Sequence, residues 1–186
     1  MSSLLDFADA AGWETWLAEH HADAREAWLK IAKKGGGATS VTVTEALDVA
    51  LCYGWIDGQR KSFDTAYFVQ RYCPRRTRSS WSKVNVGKVE ALIAAGRMRP
   101  AGQAEIDAAK ADGRWDAAYV SQKEATVPPD LAAALAANPA AQAHFDTLGR
   151  TDRYWVIMNL AKARTPATRA ARLTRFIGKL SVGRVA

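Results

Sequence analysis

Cationic and aromatic side chains alternate between Tyr53 and Asn85, and these residue types are suited to binding chemistry. Within residues 60–83, seven lysines and arginines stand against one acid, a net charge of +6 where the whole chain carries +7. Guanidinium groups bind phosphate and carboxylate oxygens in pairs, and aromatic rings stack on planar groups. This composition predicts a surface that binds an anionic ligand or partner. The predicted ligand-binding residues are Trp55, Asp57, Lys61, Arg71, Arg75, Arg76, Trp81 and Asn85.

A structural interpretation of these residues remains open beside the functional one. The cations can belong to a solvated loop with aromatic side chains packed beneath it. Asp57 could act as a base or bind a cation, although an Asp-Gly pair more often turns the backbone. Trp55 and Trp81 could line a pocket or fill a core. Asn85 follows closely on Ser82, and this spacing is typical of the start of a helix.

The cysteines and histidines do not form a recognisable catalytic or metal site. Cys52 lies in an apolar stretch, where a buried structural thiol is expected. Cys73 is the better candidate for a thiolate, because neighbouring arginines favour the charged form. Adjacent histidines such as His20 and His21 point in different directions on a helix and make a poor metal pair. We therefore expect no catalytic residue, no metal and no cofactor.

Composition indicates a globular chain of ordinary domain size. The 186 residues are 48% hydrophobic, which is ample for a core. We expect no membrane span, because no apolar run approaches the ~18 residues that a bilayer requires. The N-terminus does not resemble a secretory signal, and two cysteines do not make a disulfide framework, so we expect a cytoplasmic location. A second basic block, residues 150–186, holds nine bases and one acid.

Helix signals dominate the elements that must position these residues. Apolar residues at helical spacing begin at Trp13. Thr42 with Glu45 forms a capping pattern that predicts a helix over residues 43–53. Asp23 with Glu26 forms a similar pattern, which predicts a further helix over the residues that follow. The fold expected from these signals is mainly α.

One segment departs from the helical pattern. Residues 67–72 are rich in β-forming side chains, and Asp64-Thr65 separates them from a second short run. This pattern predicts a small antiparallel β-hairpin over about 55–73, ended by Pro74, which cannot donate to a strand ladder. The predicted class is thus α+β, with the hairpin inserted in a helical domain.

A proline-rich break at residues 127–130 separates two parts of the chain. We predict a helical domain over residues 1–115 that carries the hairpin, a linker over 116–129, and a helical C-terminal module over 130–186. The helices predicted in that module cover residues 130–137, 139–148, 152–163 and 166–180.

Several motifs, taken in order, resemble the YdeI/OmpD-associated family over roughly residues 10–183. The N-terminal motifs are Trp55-Ile56-Asp57-Gly58, Pro74-Arg75-Arg76, Trp81-Ser82 with Asn85, and Gly96-Arg97-Met98 with Ala101-Gly102. The C-terminal motifs are Asp130-Leu131, Ala134-Leu135, Asp152-Arg153-Tyr154, Ala161-Lys162 and Thr168-Arg169 with Arg172. Cys73 and Arg99 depart from the family pattern before Pro74 and Pro100. The resemblance implies a C-terminal domain of the bacteriocin-protection type, with no established reaction or cofactor.

Three functions follow as hypotheses. The first is a non-catalytic cytoplasmic protein that acts in stress or bacteriocin protection by binding an anionic small molecule or a protein partner. The second is a nucleic-acid-binding protein that uses the same basic face. The third is a small enzyme with a pocket around Asp57 or Cys73, walled by Trp55 and Trp81. The oligomeric state is not predicted.

Overall fold

Four strands and eight helices are formed by residues 4–35, 37–163 and 165–185, the part of the chain described by the computed structural model. None of these helices is both long enough and apolar enough to cross a bilayer. In chain order the elements are β1 (Leu4–Asp6), α1 (Ala10–His20), β2 (Ala27–Ala32), α2 (Val43–Cys52), β3 (Trp55–Ser62), β4 (Tyr67–Pro74), α3 (Lys83–Ala94), α4 (Pro100–Ala111), α5 (Pro129–Ala136), α6 (Pro139–Thr147), α7 (Arg150–Ala161) and α8 (Pro166–Leu180).

The chain divides into two units. The first unit comprises Met1–Ser80 and Asn85–Asp116, and the second comprises Trp81–Val84 and Ala117–Ala186. The role of residues 116–129 as a linker stays a prediction.

The first unit contains a four-stranded mixed sheet with the strand order β1-β2-β4-β3. Strand β1 runs parallel to β2, whereas β4 is antiparallel to both of its neighbours. The prediction of a mainly α fold with only a small hairpin is therefore wrong. The antiparallel pair expected near residues 55–73 is present as β3 and β4, and it forms half of the larger sheet.

The error lies in the segment after Asp23, where the capping pattern predicted a helix and the structure has β2. Within Ala27–Ala32, buried and partly exposed residues alternate, which is the period of a half-buried strand. Glu26 does not cap a helix. Its carboxylate accepts hydrogen bonds from Trp28 Nε1 at 3.2 Å and from Arg71 Nε at 2.5 Å. The side chain thus joins two neighbouring strands.

The capping box before α2 confirms the other helix start. The Thr42 hydroxyl accepts from the Glu45 backbone N–H at 3.2 Å, and the Glu45 carboxylate accepts from the Thr42 N–H at 3.0 Å. The Thr42 hydroxyl also donates to the Glu45 carboxylate at 2.7 Å, and this hydrogen bond, together with the one from the Thr42 backbone N–H, holds the pKa of Glu45 below its usual range because both favour the charged carboxylate. Helix α2 is buried along Ala46, Val49 and Ala50.

A tryptophan cluster fills the core between the helices and one face of the sheet. Trp13 and Trp55 are fully or almost fully buried, with ring centroids 6.3 Å apart in an edge-on arrangement. Trp13 Nε1 donates to the Ala46 carbonyl at 3.0 Å, so this buried polar group is paired. Leu29 and Tyr72 supply the sheet side of the core.

The second unit packs α5 to α8 around a separate core. Its completely buried centre is formed by Leu131, Ala141, Val156, Leu160 and Leu180. The four helices predicted from the sequence in this region are present. An ion pair between Arg169 and Asp130, with 2.7 Å between Nε and Oδ2, joins α8 to α5.

Candidate functional site

The sheet face that points away from the core carries cations and aromatic rings side by side. Because cross-strand partners share a face, the pairings Trp28 with Arg71, and Lys30 and Lys61 with Val69, place these side chains together. Tyr67 lies two residues before Val69 on the same side of β4. The outer face is defined here as Trp28, Lys30, Lys61, Tyr67 and Arg71.

Two of these cations lie over aromatic rings that belong to other strands of the sheet. Lys61 Nζ is 4.6 Å from the centre of the Trp28 ring, and Lys30 Nζ is 4.0 Å from the centre of the Tyr67 ring. Such contacts contribute about 0.5–1 kcal/mol at exposed sites. They hold the rings and the ammonium groups in a layered arrangement that solvent reaches, since both rings are partly exposed and Lys61 is exposed.

The cations of the outer face differ in how strongly acids neutralise them. Arg71 is tied to Glu26, whose hydrogen bond raises the pKa of the guanidinium and keeps it charged. Lys30 Nζ lies 3.5 Å from an Asp6 carboxylate that is 55% exposed, a weak surface pair. Lys61 has no acidic partner among the residues that the structure describes. Its charge is the one on this face most available to a ligand.

Two of the predicted ligand-binding residues, Lys61 and Arg71, lie together on the outer face. Trp55 does not, because it belongs to the tryptophan core with 1% exposure and donates from Nε1 to the His21 carbonyl at 3.2 Å. Asp57 is exposed on β3 opposite Tyr72.

The remaining predicted residues follow β4 along the chain. Arg75 is only 6% exposed, and its Nη2 donates to the Ser80 carbonyl at 2.9 Å. Arg76 is exposed in the loop after β4. Trp81 is 2% exposed and belongs to the second unit, whereas Asn85 is half-buried in α3 of the first unit.

Sequence reasoning missed Trp28 and Lys30 as parts of the site. Both were assigned to a helix after Asp23, where they would not meet the cations of β3 and β4. The period-two burial of β2 could have revealed them, since Ala27, Leu29 and Ile31 form one apolar row.

A cavity of about 430 Å³ lies in the first unit beside the start of α4. His21, Tyr53 and Arg99 contribute its polar groups. Arg99 Nη2 lies 2.7 Å from Glu14 Oε1, so the charge of this guanidinium is already balanced by an acid. A second cavity of about 510 Å³ lies in the second unit between α7 and α8.

The residues named for an enzymatic site line neither of these cavities. Cys52 is buried, and burial raises the pKa of its thiol, which disfavours a thiolate nucleophile. Cys73 is half-buried on β4. Among the described residues, no three His, Cys, Asp or Glu side chains are grouped closely enough to hold a metal ion.

Two family models match the chain, and the boundary between their matches lies close to the boundary between the two structural units. Residues 5–105, more than half of the chain, match the family described as "Domain of unknown function (DUF8412)". The chain belongs to the DUF8412 family. Residues 124–183 match the family described as "Bacteriocin-protection, YdeI or OmpD-Associated".

The C-terminal region is therefore a YdeI/OmpD-associated domain, which confirms the family resemblance over those residues. The N-terminal motifs that contributed to the resemblance, Trp55–Gly58 among them, fall within the DUF8412 match. Searches of curated proteins and of solved structures gave no match.

Proposed function

We propose that the protein is a non-catalytic binding protein that takes single-stranded nucleic acid on the outer face of its sheet. The observation that carries this proposal is the layered arrangement of Lys61 over Trp28 and of Lys30 over Tyr67. A single strand offers phosphates to the cations and planar bases to the rings.

The shape of the outer face favours a strand over a small anion. The face is an open surface of several strands, and known sheet surfaces of this kind stack two or three bases on exposed aromatic side chains. Stacking is worth about 1–3 kcal/mol per base and does not depend on sequence. A duplex hides its bases, so a stacking surface should prefer single strands.

The net positive charge of the chain also supports nucleic acid as the partner. The net charge of +7 attracts polyanions over a distance. Lys61 supplies a cation without an acidic partner in the described part of the chain, while Arg71 stays charged beside Glu26.

The family description of the C-terminal region suggests a biological setting for this binding. The C-terminal match names bacteriocin protection. This name is the support for a protective role, and that the chain acts in stress or bacteriocin protection through binding in the cytoplasm is part of the proposal. An anionic protein or a small anion would be the alternative occupant of the outer face.

Fluorescence anisotropy with labelled single-stranded DNA and RNA tests the proposal. We expect binding at low salt that weakens steeply as salt rises, because neutralised phosphates release counterions. Lys61→Glu should weaken binding about tenfold or more, since it replaces an attraction by a repulsion at the face.

Arg97→Glu is the matched control, because Arg97 is exposed in the segment between α3 and α4 and the substitution changes the net charge equally. It should weaken binding much less than Lys61→Glu does. Absence of binding at low salt would overturn the proposal. Equal losses in the two variants, or a duplex bound as tightly as a single strand, would also contradict it.

A further inference from the structure

A groove between α7 and α8 is a second candidate binding site, formed by other residues than the open outer face. Its volume is about 510 Å³, and Asn159 on α7 forms one wall. The other wall is formed by Thr168, Ala171, Arg172 and Arg175 of α8. These four residues follow helical spacing and share one face of α8.

The polar groups of this groove are suited to an oxyanion. Two guanidinium groups, a hydroxyl and an amide line it, and none of the described lining residues carries a carboxylate. Helix α8 contains no acidic residue from Pro166 to Leu180. Any anion in the groove therefore meets positive charge without competition from an acid on the same helix.

Local hydrogen bonds orient two of these groups. Arg172 Nη1 donates to the Asn159 carbonyl at 2.6 Å, which holds the guanidinium across the groove, and its other N–H groups have no acceptor in the part of the chain that the structure describes. The Thr168 hydroxyl accepts from the Thr165 hydroxyl at 2.8 Å, and its own hydrogen has no acceptor among the described residues. Arg175 is exposed, with its guanidinium carbon 5.6 Å from the centre of the Phe176 ring.

We infer that the groove binds the phosphate group of a small phosphate ester. A phosphate carries about −1.5 to −2 charge and three acceptor oxygens, which match two guanidinium groups and a hydroxyl better than a carboxylate does. The groove is larger than a bare phosphate requires, and its size lies in the range of small-molecule sites.

A neighbouring aromatic residue indicates a planar group on the ester. Trp155 is 41% exposed and lies one turn before Asn159 on α7. Its ring meets Phe176 edge-on, with centroids 5.4 Å apart, and Arg175 lies over the same Phe176. A mononucleotide would place its phosphate at Arg172 and Arg175 and its base against Trp155.

This inference does not depend on the proposed function of the outer face. The groove belongs to the second unit and to the region matched by the YdeI/OmpD-associated family, whereas the outer face belongs to the first unit. Either site can fail its test while the other passes.

Titration of the full chain, followed by amide NMR, tests the inference with inorganic phosphate, ribose 5-phosphate and adenosine monophosphate as probes. We expect shifts at Thr168, Arg172 and their neighbours with all three probes. Adenosine monophosphate should bind more tightly than ribose 5-phosphate, and Trp155→Leu should remove that difference. Equal affinity of these two probes for the unaltered chain would overturn the stacking role of Trp155.

Matched variants distinguish binding in the groove from non-specific electrostatic attraction of an anion to the positively charged chain. Arg175→Gln and Thr168→Val should each weaken phosphate binding, the arginine change by about tenfold or more. Arg184→Gln removes the same charge as Arg175→Gln from an exposed position after α8 and should leave binding unchanged. Equal losses in Arg184→Gln and Arg175→Gln, or no shift at millimolar phosphate, would overturn the site.

Discussion

Replacing Gly102 by alanine tests how closely α4 approaches the end of α2. A Cβ atom at this position would lie 2.3 Å from the Cys52 carbonyl oxygen, 2.7 Å from its carbonyl carbon and 2.6 Å from Met98 Sδ. The first two are backbone atoms, which cannot rotate away as a side chain can. Gly87 of α3 is the control, because a Cβ there would meet nothing within 4 Å.

The two substitutions should change stability in opposite directions. Alanine is favoured over glycine inside a helix by about 1 kcal/mol, so Gly87→Ala should raise the free energy of unfolding by up to that amount. At Gly102 the same gain is opposed by a contact about 1 Å shorter than the 3.4 Å at which ordinary contact begins. Overpacking of this kind costs about 1–3 kcal/mol or more. Gly102→Ala should therefore lower the free energy of unfolding by about 2 kcal/mol.

Urea unfolding followed by far-ultraviolet circular dichroism and tryptophan fluorescence measures both effects. The two variants should differ by about 3 kcal/mol, far more than the error of such a comparison. Gly102→Ala as stable as Gly87→Ala would refute the close packing of α4 on the end of α2.

Three further predictions concern buried or paired polar groups. The Tyr72 hydroxyl is buried without a hydrogen-bond partner in the described part of the chain, so Tyr72→Phe should raise the free energy of unfolding by about 1 kcal/mol in urea titrations; a loss of stability would reveal a partner. Arg75→Glu should lower the free energy of unfolding by several kcal/mol, because it places a carboxylate at a buried position facing a carbonyl. Arg76→Glu, in the exposed loop, is the control and should change the free energy of unfolding by no more than about 0.5 kcal/mol. Equal thermal stability of these two variants would contradict the placement of Arg75. Arg169 lowers the pKa of Asp130 by hydrogen bonding, so the pair stabilises the fold fully above the ordinary pKa of 3.8 and loses that contribution as the pH falls through the lowered pKa. Because both side chains are about one third exposed, Asp130→Asn should cost less than ~1 kcal/mol at neutral pH, and the difference should shrink as the pH falls through the lowered pKa of Asp130. A difference that persists undiminished in acid would show that the pair is not its source.

The elements predicted correctly from the sequence include those that are fixed by hydrogen bonds between residues two or three positions apart. The reciprocal hydrogen bonds of Thr42 and Glu45 involve residues three apart, so their spacing is visible in the sequence and α2 begins where it was expected. The turn at Asp64 is equally local, since its carboxylate accepts from the N–H groups of Ala66 and Tyr67. The sheet was not predictable in this way. Strand β1 has three residues and exists through its pairing with β2, some 24 positions away.

Only part of the site was predictable from the sequence, because charge is a property of the sequence whereas burial depends on the fold. Charge is visible in a sequence, and it pointed to Lys61 and Arg71. Burial is not visible, so Arg75 was counted with them although the fold encloses it and directs it to the Ser80 carbonyl. A glutamate triple substitution of Arg71, Arg75 and Arg76 would therefore damage the fold as well as any binding. Trp28 lies at the site because β2 pairs with β4, and this long-range pairing is not visible in the sequence.

Ultraviolet crosslinking of a single-stranded oligonucleotide to the protein, followed by mass spectrometry of the crosslinked peptides, tests the central claim most directly. Binding on the outer face predicts that the crosslinked peptides carry Trp28 and Tyr67, and that Lys61→Glu greatly reduces their yield. Crosslinks confined to other parts of the chain, or a yield that Lys61→Glu leaves unchanged, would contradict the claim.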